Sequence, residues 1–270
     1  MPEGDTIHRA AKRLSRALAG KVVVRCESSV PEIARAGLVG RRIDEVAARG
    51  KYMTVAFDDG RVLVSHMRMV GSWHLYKEGE RWWLPAHTAR VVVAVGASNG
   101  DCALVAVCFA APLVRLVSER RKEHLLEPLG PDVVADEFDA RAAVGRFESS
   151  DGERTIGEAL LDQTVMAGVG NIYKSEVLFA ERISPFARVS ELGSGVLASV
   201  VARARSLMRR SVVAGRMRTT ISGPAAGPFA VYRRSGRPCP RCGHPIARAV
   251  QGAARRSTYY CPICQAGKPA

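Results

Sequence analysis

The sequence predicts an α+β protein in three parts: an N-terminal antiparallel β-sandwich, a mainly helical domain and a C-terminal β-hairpin that carries cysteines. Three observations support this. Short β-rich runs separated by Gly, Asp and Asn turns occupy residues 21–117. Apolar residues recur at helical spacing from residue 138 onward. Four of the seven cysteines form two Cys-x-x-Cys pairs near the C-terminus. At 270 residues and 47% apolar content, the chain is long enough for two ordinary domains with real cores.

After Pro-Glu-Gly-Asp, the series Ile7, Ala10, Ala11, Leu14, Leu18 has helical spacing, with Asp5 as the expected N-cap and Gly20 as the stop. Pro2 and Glu3 therefore lie just ahead of a helix N-terminus. Strands are expected at VVVRC, YMTVAF, RVLVSH, RVVVAV and CALVAVCF. The charged stretch 118–139, with its two prolines, reads as the connection to the second domain. Helices are then expected over 138–147, 156–162, 171–180 and 191–213. Residues 216–229 are rich in Gly, Pro and Thr and read as a loop ahead of the cysteine segment. The expected domains are 1–122, 123–228 and 229–268.

Cys239, Cys242, Cys261 and Cys264 have the spacing of two thiolate knuckles across a hairpin, which suits one tetrahedral zinc. Four sulfur ligands leave no open position, so the expected role is structural, with His244 outside the ligand set. Cys26, Cys102 and Cys108 stand alone in apolar runs and read as core residues, not as a disulfide framework. No run of about 18 apolar residues occurs and the first residues are charged, so a membrane anchor and a secretory leader are not expected. The formal charge is +14, which favours polyanions as partners, although a basic protein that only needs solubility has the same composition.

Three segments carry candidate chemistry. Between the knuckles, Arg248, Arg255 and Arg256 with Tyr259 and Tyr260 suit phosphate contact or simply form a solvated basic hairpin. In GEALLDQTVMAGVGNIYKSEVLF a helical run breaks at Gly168-Val169-Gly170 and restarts with Asn171 in the N-cap position. Such a turn either receives a phosphate on free amides at a positive helix end or merely joins two helices. At the N-terminus, removal of Met1 would free the secondary amine of Pro2 beside Glu3. A terminal amine titrates about two units below lysine and is more often neutral near pH 7, yet Met-Pro-Glu is also an ordinary start.

Together MPEGD, LLDQxxxAGVGNIYKSE and CPRCG…RxTYYCPxCQ resemble the formamidopyrimidine-DNA glycosylase / endonuclease VIII family, over nearly the whole chain and in the family's order. The resemblance implies a β-sandwich, a helix–two-turn–helix module and a zinc-finger hairpin clasping bent double-stranded DNA with damaged bases or abasic sites. It implies a base-excision-repair enzyme, both glycosylase and abasic-site lyase, in which Pro2 attacks C1′ of an extruded nucleotide and forms a Schiff base. Glu3 matches the general acid and base, though it also suits a capping carboxylate. Lys51 of RGKYMT matches a phosphate-contacting lysine on a β-hairpin, and only seven of the 40 basic residues are lysines. Asn171 and Arg256 match the residues that grip phosphates around the lesion. β- and δ-elimination would follow base loss.

For the lesion class, Phe109-Ala110-Ala111-Pro112-Leu113 lacks the Asp-Pro-Arg-Arg-Phe-Gly segment of the oxidised-purine branch. SHMRMVG instead resembles the endonuclease VIII pattern, in which three residues after Ser-His fill the gap left by the flipped base. Arg68, Met69 and Val70 are that expected wedge, with Val70 smaller than the aromatic residue sometimes found there. Oxidised pyrimidines are the expected lesions. The alternatives are an oxidised-purine glycosylase, a non-catalytic lesion-DNA-binding homologue and a zinc-ribbon adaptor, the last leaving residues 2–3 and 155–180 unexplained. The resemblance further implies a bacterial, cytoplasmic, nucleoid-associated monomer.

Overall fold

The computed structural model describes residues 2–96, 104–220 and 227–266. Cys102 and the loop residues 221–226 lie outside the described residues. The chain divides into two compact units, Met1–Pro128 and Leu129–Ala270.

The first unit opens with α1 (Gly4–Leu18), whose Ile7, Leu14 and Leu18 are buried on one face as the spacing requires. Its N-cap is Glu3 and not Asp5: Glu3 is extended, and its carbonyl accepts from the N–H groups of Thr6 and Ile7. Asp5 is fully buried in the first turn, 3.6 Å from Arg9 one turn on. Among the described residues eight strands follow, with the short helix α2 (Pro31–Ala34) between the first two: β1 (Val23–Ser28), β2 (Ile43–Arg49), β3 (Tyr52–Phe57), β4 (Arg61–His66), β5 (Ser72–Lys77), β6 (Ala89–Val95), β7 (Leu104–Phe109) and β8 (Leu113–Ser118). They form two antiparallel sheets, β1-β6-β7-β5 and β2-β3-β4-β8. One core joins them, with Ile43, Met53 and Leu63 from one sheet and Val91, Val93 and Ala106 from the other, under α1.

Strands β2, β5 and β8 were not foreseen, because IDEVAAR, SWHLYK and LVRLVS mix charges into half-buried patterns that fall short of a continuous apolar run. The continuous runs β6 and β7 have a matching cause. Their outer faces are also covered, by a cluster of Tyr76, Val92, Val107 and Phe109 on which Trp82 packs. The first unit extends past the boundary expected at residue 122, to Pro128. The reason is α3 (Glu119–Leu126), capped by Ser118 and packed on β4 and β8, in a stretch the sequence presented as a plain connection.

The second unit contains α4 (Ala140–Glu148), α5 (Ile156–Ala159), α6 (Asn171–Glu181) and α7 (Ser194–Val213), packed around Phe147, Leu160, Tyr173 and Leu197. Turns at residues 160–161 and 163–165 join α5 to α6 and make the helix–two-turn–helix segment. The hairpin β9 (Ala247–Gln251) and β10 (Arg256–Tyr260) follows. Contact alone does not separate it from the helices. Among the described residues, no helix is long and apolar enough to cross a membrane.

Candidate functional site

In the first unit the sequence-predicted residues gather at one end of the sheet β2-β3-β4-β8. Helix α1 lies along β2, and the Gly20 N–H donates to the Ile43 carbonyl at 2.7 Å, fixing the helix C-terminus at the start of the strand. Fifteen helical residues and seven strand residues both span about 23 Å. The N-terminal end of α1, with half-buried Pro2 and fully buried Glu3, therefore emerges where β2 ends. There Gly50 and Lys51 form a two-residue hairpin closed by the pair Arg49 and Tyr52, with Gly50 at φ 59° as such turns require. Lys51 is half-buried at its tip.

Tyr52 pairs with His66 at the end of β4, so the β4–β5 turn leaves the sheet beside the lysine turn. This turn is tight, with the Gly71 N–H donating to the Met67 carbonyl at 2.8 Å. A Cβ on Gly71 would lie 2.8–2.9 Å from backbone atoms of Met67 and Ala111, so only glycine fits. Arg68 has φ 45°, and the side chains of Met69 and Val70 are 60% and 69% exposed. The β7–β8 connection, residues 110–112, is short, and its Ala111 is buried under Gly71. His66 is neutral near pH 7, because burial and the charges of Lys51 and Arg68 push its pKa down to about 4.

In the second unit, Gly170 is the N-cap of α6, one position earlier than expected, and Asn171 is the first helical residue. The displacement has a function, since Asn171 Nδ2 donates to the Ser257 carbonyl of β10 at 2.7 Å. Gln163 holds the preceding turn by accepting from the Gly168 N–H and donating to the carbonyls of Leu161 and Val169. The residues after Asn171 bind the hairpin from below. Lys174, fully buried, donates to Thr258 Oγ1 at 2.7 Å, and Thr258 donates to Gln251 Oε1 at 2.9 Å. Gln251 Nε2 in turn donates to Thr155 Oγ1 and the Pro185 carbonyl. Glu176, also buried, accepts from the N–H groups of Ala230, Val231 and Tyr232, each at 2.8 Å, and from the Thr219 hydroxyl.

Lys174 and Glu176 lie within the AGVGNIYKSE motif, yet their tasks show only in the fold. Their signal was charge at helix positions that are otherwise apolar. Arg256 opens β10 as an exposed residue paired with Gln251. Arg248 is turned across the hairpin to Ser257 Oγ. Tyr259 and Tyr260 are half-buried edge-on against Tyr232 and Phe186, both at 5.2 Å, so they brace the hairpin.

The four cysteines meet as their spacing predicted. All four Sγ atoms lie within 4.8 Å of one another, Cys239 and Cys264 at 3.8 Å and Cys242 and Cys261 at 3.5 Å. Four sulfurs at about 2.3 Å from a central Zn2+ stand roughly 3.8 Å apart, so the donor set fits one structural ion. The N–H groups of Arg241 and Cys264 point at Cys239 Sγ and Cys261 Sγ, which suits thiolates. His244 is not in the cluster. Arg241 ties the first knuckle to the C-terminal end of α6 through the carbonyls of Phe179 and Ala180, where a cation is favoured. Cys108 is buried, with its thiol pushed up to about 12 by that burial, and Cys26 is half-buried against the core. An open depression of about 610 Å³ lined by Glu80, Arg81, Trp82 and Trp83 includes none of the predicted site residues.

The formamidopyrimidine-DNA glycosylase N-terminal domain matches residues 1–105, its H2TH domain residues 129–222, and the zinc finger found in FPG and IleRS residues 236–267. A probable endonuclease 8 2 of Streptomyces coelicolor is 38% identical, across 99% of this chain and 95% of that protein. The DNA-(apurinic or apyrimidinic site) lyase Nei2 of Mycolicibacterium smegmatis is 33% identical over 98% of this chain and 99% of its own. The crystal structure of Lactococcus lactis formamidopyrimidine-DNA glycosylase, non-covalently bound to DNA containing an abasic site, shares the fold. Its TM-score is 0.79 at 24% identity, over 97% of this chain and 99% of that one. The turn geometry, the sulfur cluster and identity above 30% over full length place the chain in the formamidopyrimidine-DNA glycosylase / endonuclease VIII family.

Proposed function

We propose that this chain is a bifunctional DNA glycosylase and abasic-site lyase of base-excision repair, acting on oxidised pyrimidines in double-stranded DNA. The observation that carries the reading is the convergence of Pro2, Glu3, the Lys51 turn and the exposed Met69-Val70 turn at one end of one sheet. With Met1 removed, the neutral Pro2 nitrogen attacks C1′ of the extruded nucleotide, the N-glycosidic bond breaks, and the base leaves with a proton. Glu3 supplies and recovers protons as the sugar opens and the Schiff base forms. Loss of the C2′ proton then expels the 3′ phosphate, and a second elimination expels the 5′ phosphate. Lys51 meets a phosphate at this end. Asn171 and Arg256, on the second unit, grip the phosphates flanking the lesion.

The pyrimidine preference is supported by the β4–β5 turn, which presents exposed apolar side chains at this end of the sheet to fill a gap. The 110–112 connection is too short and too buried at Ala111 to supply a second wedge. The test uses one preparation whose N-terminal mass is measured first. Borohydride should trap a covalent complex with abasic and dihydrouracil or thymine glycol duplexes. Absence of trapping by protein that begins at Pro2 removes the proposal, and preferential cleavage of 8-oxoguanine duplexes reverses the lesion class.

A further inference from the structure

The β4–β5 turn adopts a backbone that its sequence does not favour. Arg68 sits at φ 45°, where residues with a Cβ are uncommon, and the turn closes only because Gly71 lacks one. A hydrogen bond also holds it: the Arg68 N–H donates to His66 Nδ1 at 3.1 Å. The same imidazole stands edge-on to Tyr52, with centroids 4.7 Å apart and planes at 78°. Tyr52 directly follows Lys51 and pairs with His66 across the sheet. One ring therefore touches the backbone of the apolar turn and the residue that anchors the lysine turn.

We propose that His66 is a positioning residue: its unprotonated Nδ1 holds Arg68 in the left-handed conformation that drives Met69 and Val70 outward, and its ring couples that turn to the Lys51 turn through Tyr52. Accepting at Nδ1 fixes the ring proton on Nε2, so the neutral tautomer is part of the device. Protonation of Nδ1 would remove the acceptor and set a third positive charge beside Lys51 and Arg68. The proposal rests on reading Met69 and Val70 as the gap-filling residues.

Asparagine and glutamine separate the two ring nitrogens. The Asn carbonyl reaches the place of Nδ1, whereas the Gln amide reaches the place of Nε2. Single-turnover base excision on a dihydrouracil duplex is compared for wild type, His66→Asn, His66→Gln, the double variant Met69→Ala/Val70→Ala, and that double variant carrying His66→Gln. His66→Gln is expected to slow excision roughly tenfold, the scale of one lost hydrogen bond, and His66→Asn to stay within about threefold of wild type. Added to the double variant, His66→Gln should cost less than about twofold, because a residue acting through the turn has nothing left to position.

If the double variant cleaves like wild type, the gap-filling reading fails and this proposal falls with it. An impaired double variant beside an unimpaired His66→Gln overturns only the role of His66. Asn no better than Gln, or multiplying effects, overturns the Nδ1 route. An imidazole 15N spectrum at pH 7 must show Nδ1 unprotonated, and a protonated Nδ1 overturns the proposal without any activity measurement.

Discussion

Glu3 serves structure and, in the proposed function, chemistry. Its carbonyl opens α1, and its side chain is fully buried at the positive end of that helix. Glu3→Gln keeps the size and the backbone cap while removing the proton relay. We expect base excision to fall by roughly 10²–10⁴-fold with binding of lesion DNA retained, measured by cleavage and fluorescence anisotropy. Wild-type cleavage would remove the assigned role. For His66 the sign follows from a folded pKa of about 4, below the ordinary value of 6.5. The unfolded chain takes up the proton first. The stabilisation from a neutral His66 is therefore complete above pH 6.5, declines as the pH falls toward 4, and changes no further below that. Lys51 and Arg68 supply the opposing charges, and Tyr52 covers one side of the ring. Urea denaturation at pH 7 and pH 5 should show a larger loss for wild type than for His66→Asn, and a His66 NMR midpoint near 6.5 would contradict this account.

At the scale of elements, α6 is a platform for the segments after it. Its Glu176 carboxylate satisfies three backbone N–H groups of residues 230–232 that have no helix or strand to pair them. Glu176→Ala would leave those donors buried without partners, at a cost of about 3 kcal/mol or more. Glu176→Gln keeps one acceptor oxygen and should lose about half as much. Thermal melting and amide exchange at residues 230–232 check both, and unchanged protection in the alanine variant would refute the platform. Gly157 makes the same point for the hairpin. A Cβ there would lie 2.5 Å from Gln251 Oε1, so Gly157→Ala should displace the side chain that anchors the end of β9 opposite Arg256.

Across the whole molecule two quantities govern behaviour. A net charge of +14 on 270 residues predicts DNA binding in which the logarithm of the affinity falls linearly with the logarithm of salt concentration, with a slope set by the number of phosphates met. Replacing Arg256 should reduce that slope by about one, and an unchanged slope would take Arg256 out of the phosphate contacts. The zinc site is the second. Four thiolates at close range repel one another without a cation, so a strong chelator should unfold the hairpin and weaken DNA binding, with one zinc released per chain. Full affinity after metal loss would separate the hairpin from binding.

The chain alone specified whatever is local or fixed by spacing: the helix behind Pro2, strands β1, β3, β4, β6 and β7, the four-cysteine cluster and the turn before Asn171. Periodicity and ligand spacing act over a few residues, so they survive without knowledge of the fold. Tertiary structure decided the rest. Strands β2, β5 and β8 owe their pairing to neighbours and not to their own composition, and α3 forms where charge suggested a linker. Cap positions moved by one or two residues, from Asp5 to Glu3 and from Asn171 to Gly170, because burial and hydrogen bonding to other segments claimed those side chains. The assembly of Pro2, Lys51, His66 and Met69 at one sheet end was likewise invisible in the chain. The packing of α1 along β2 and the register of the consecutive hairpins β2-β3-β4 create that proximity, which hydrophobic periodicity does not encode.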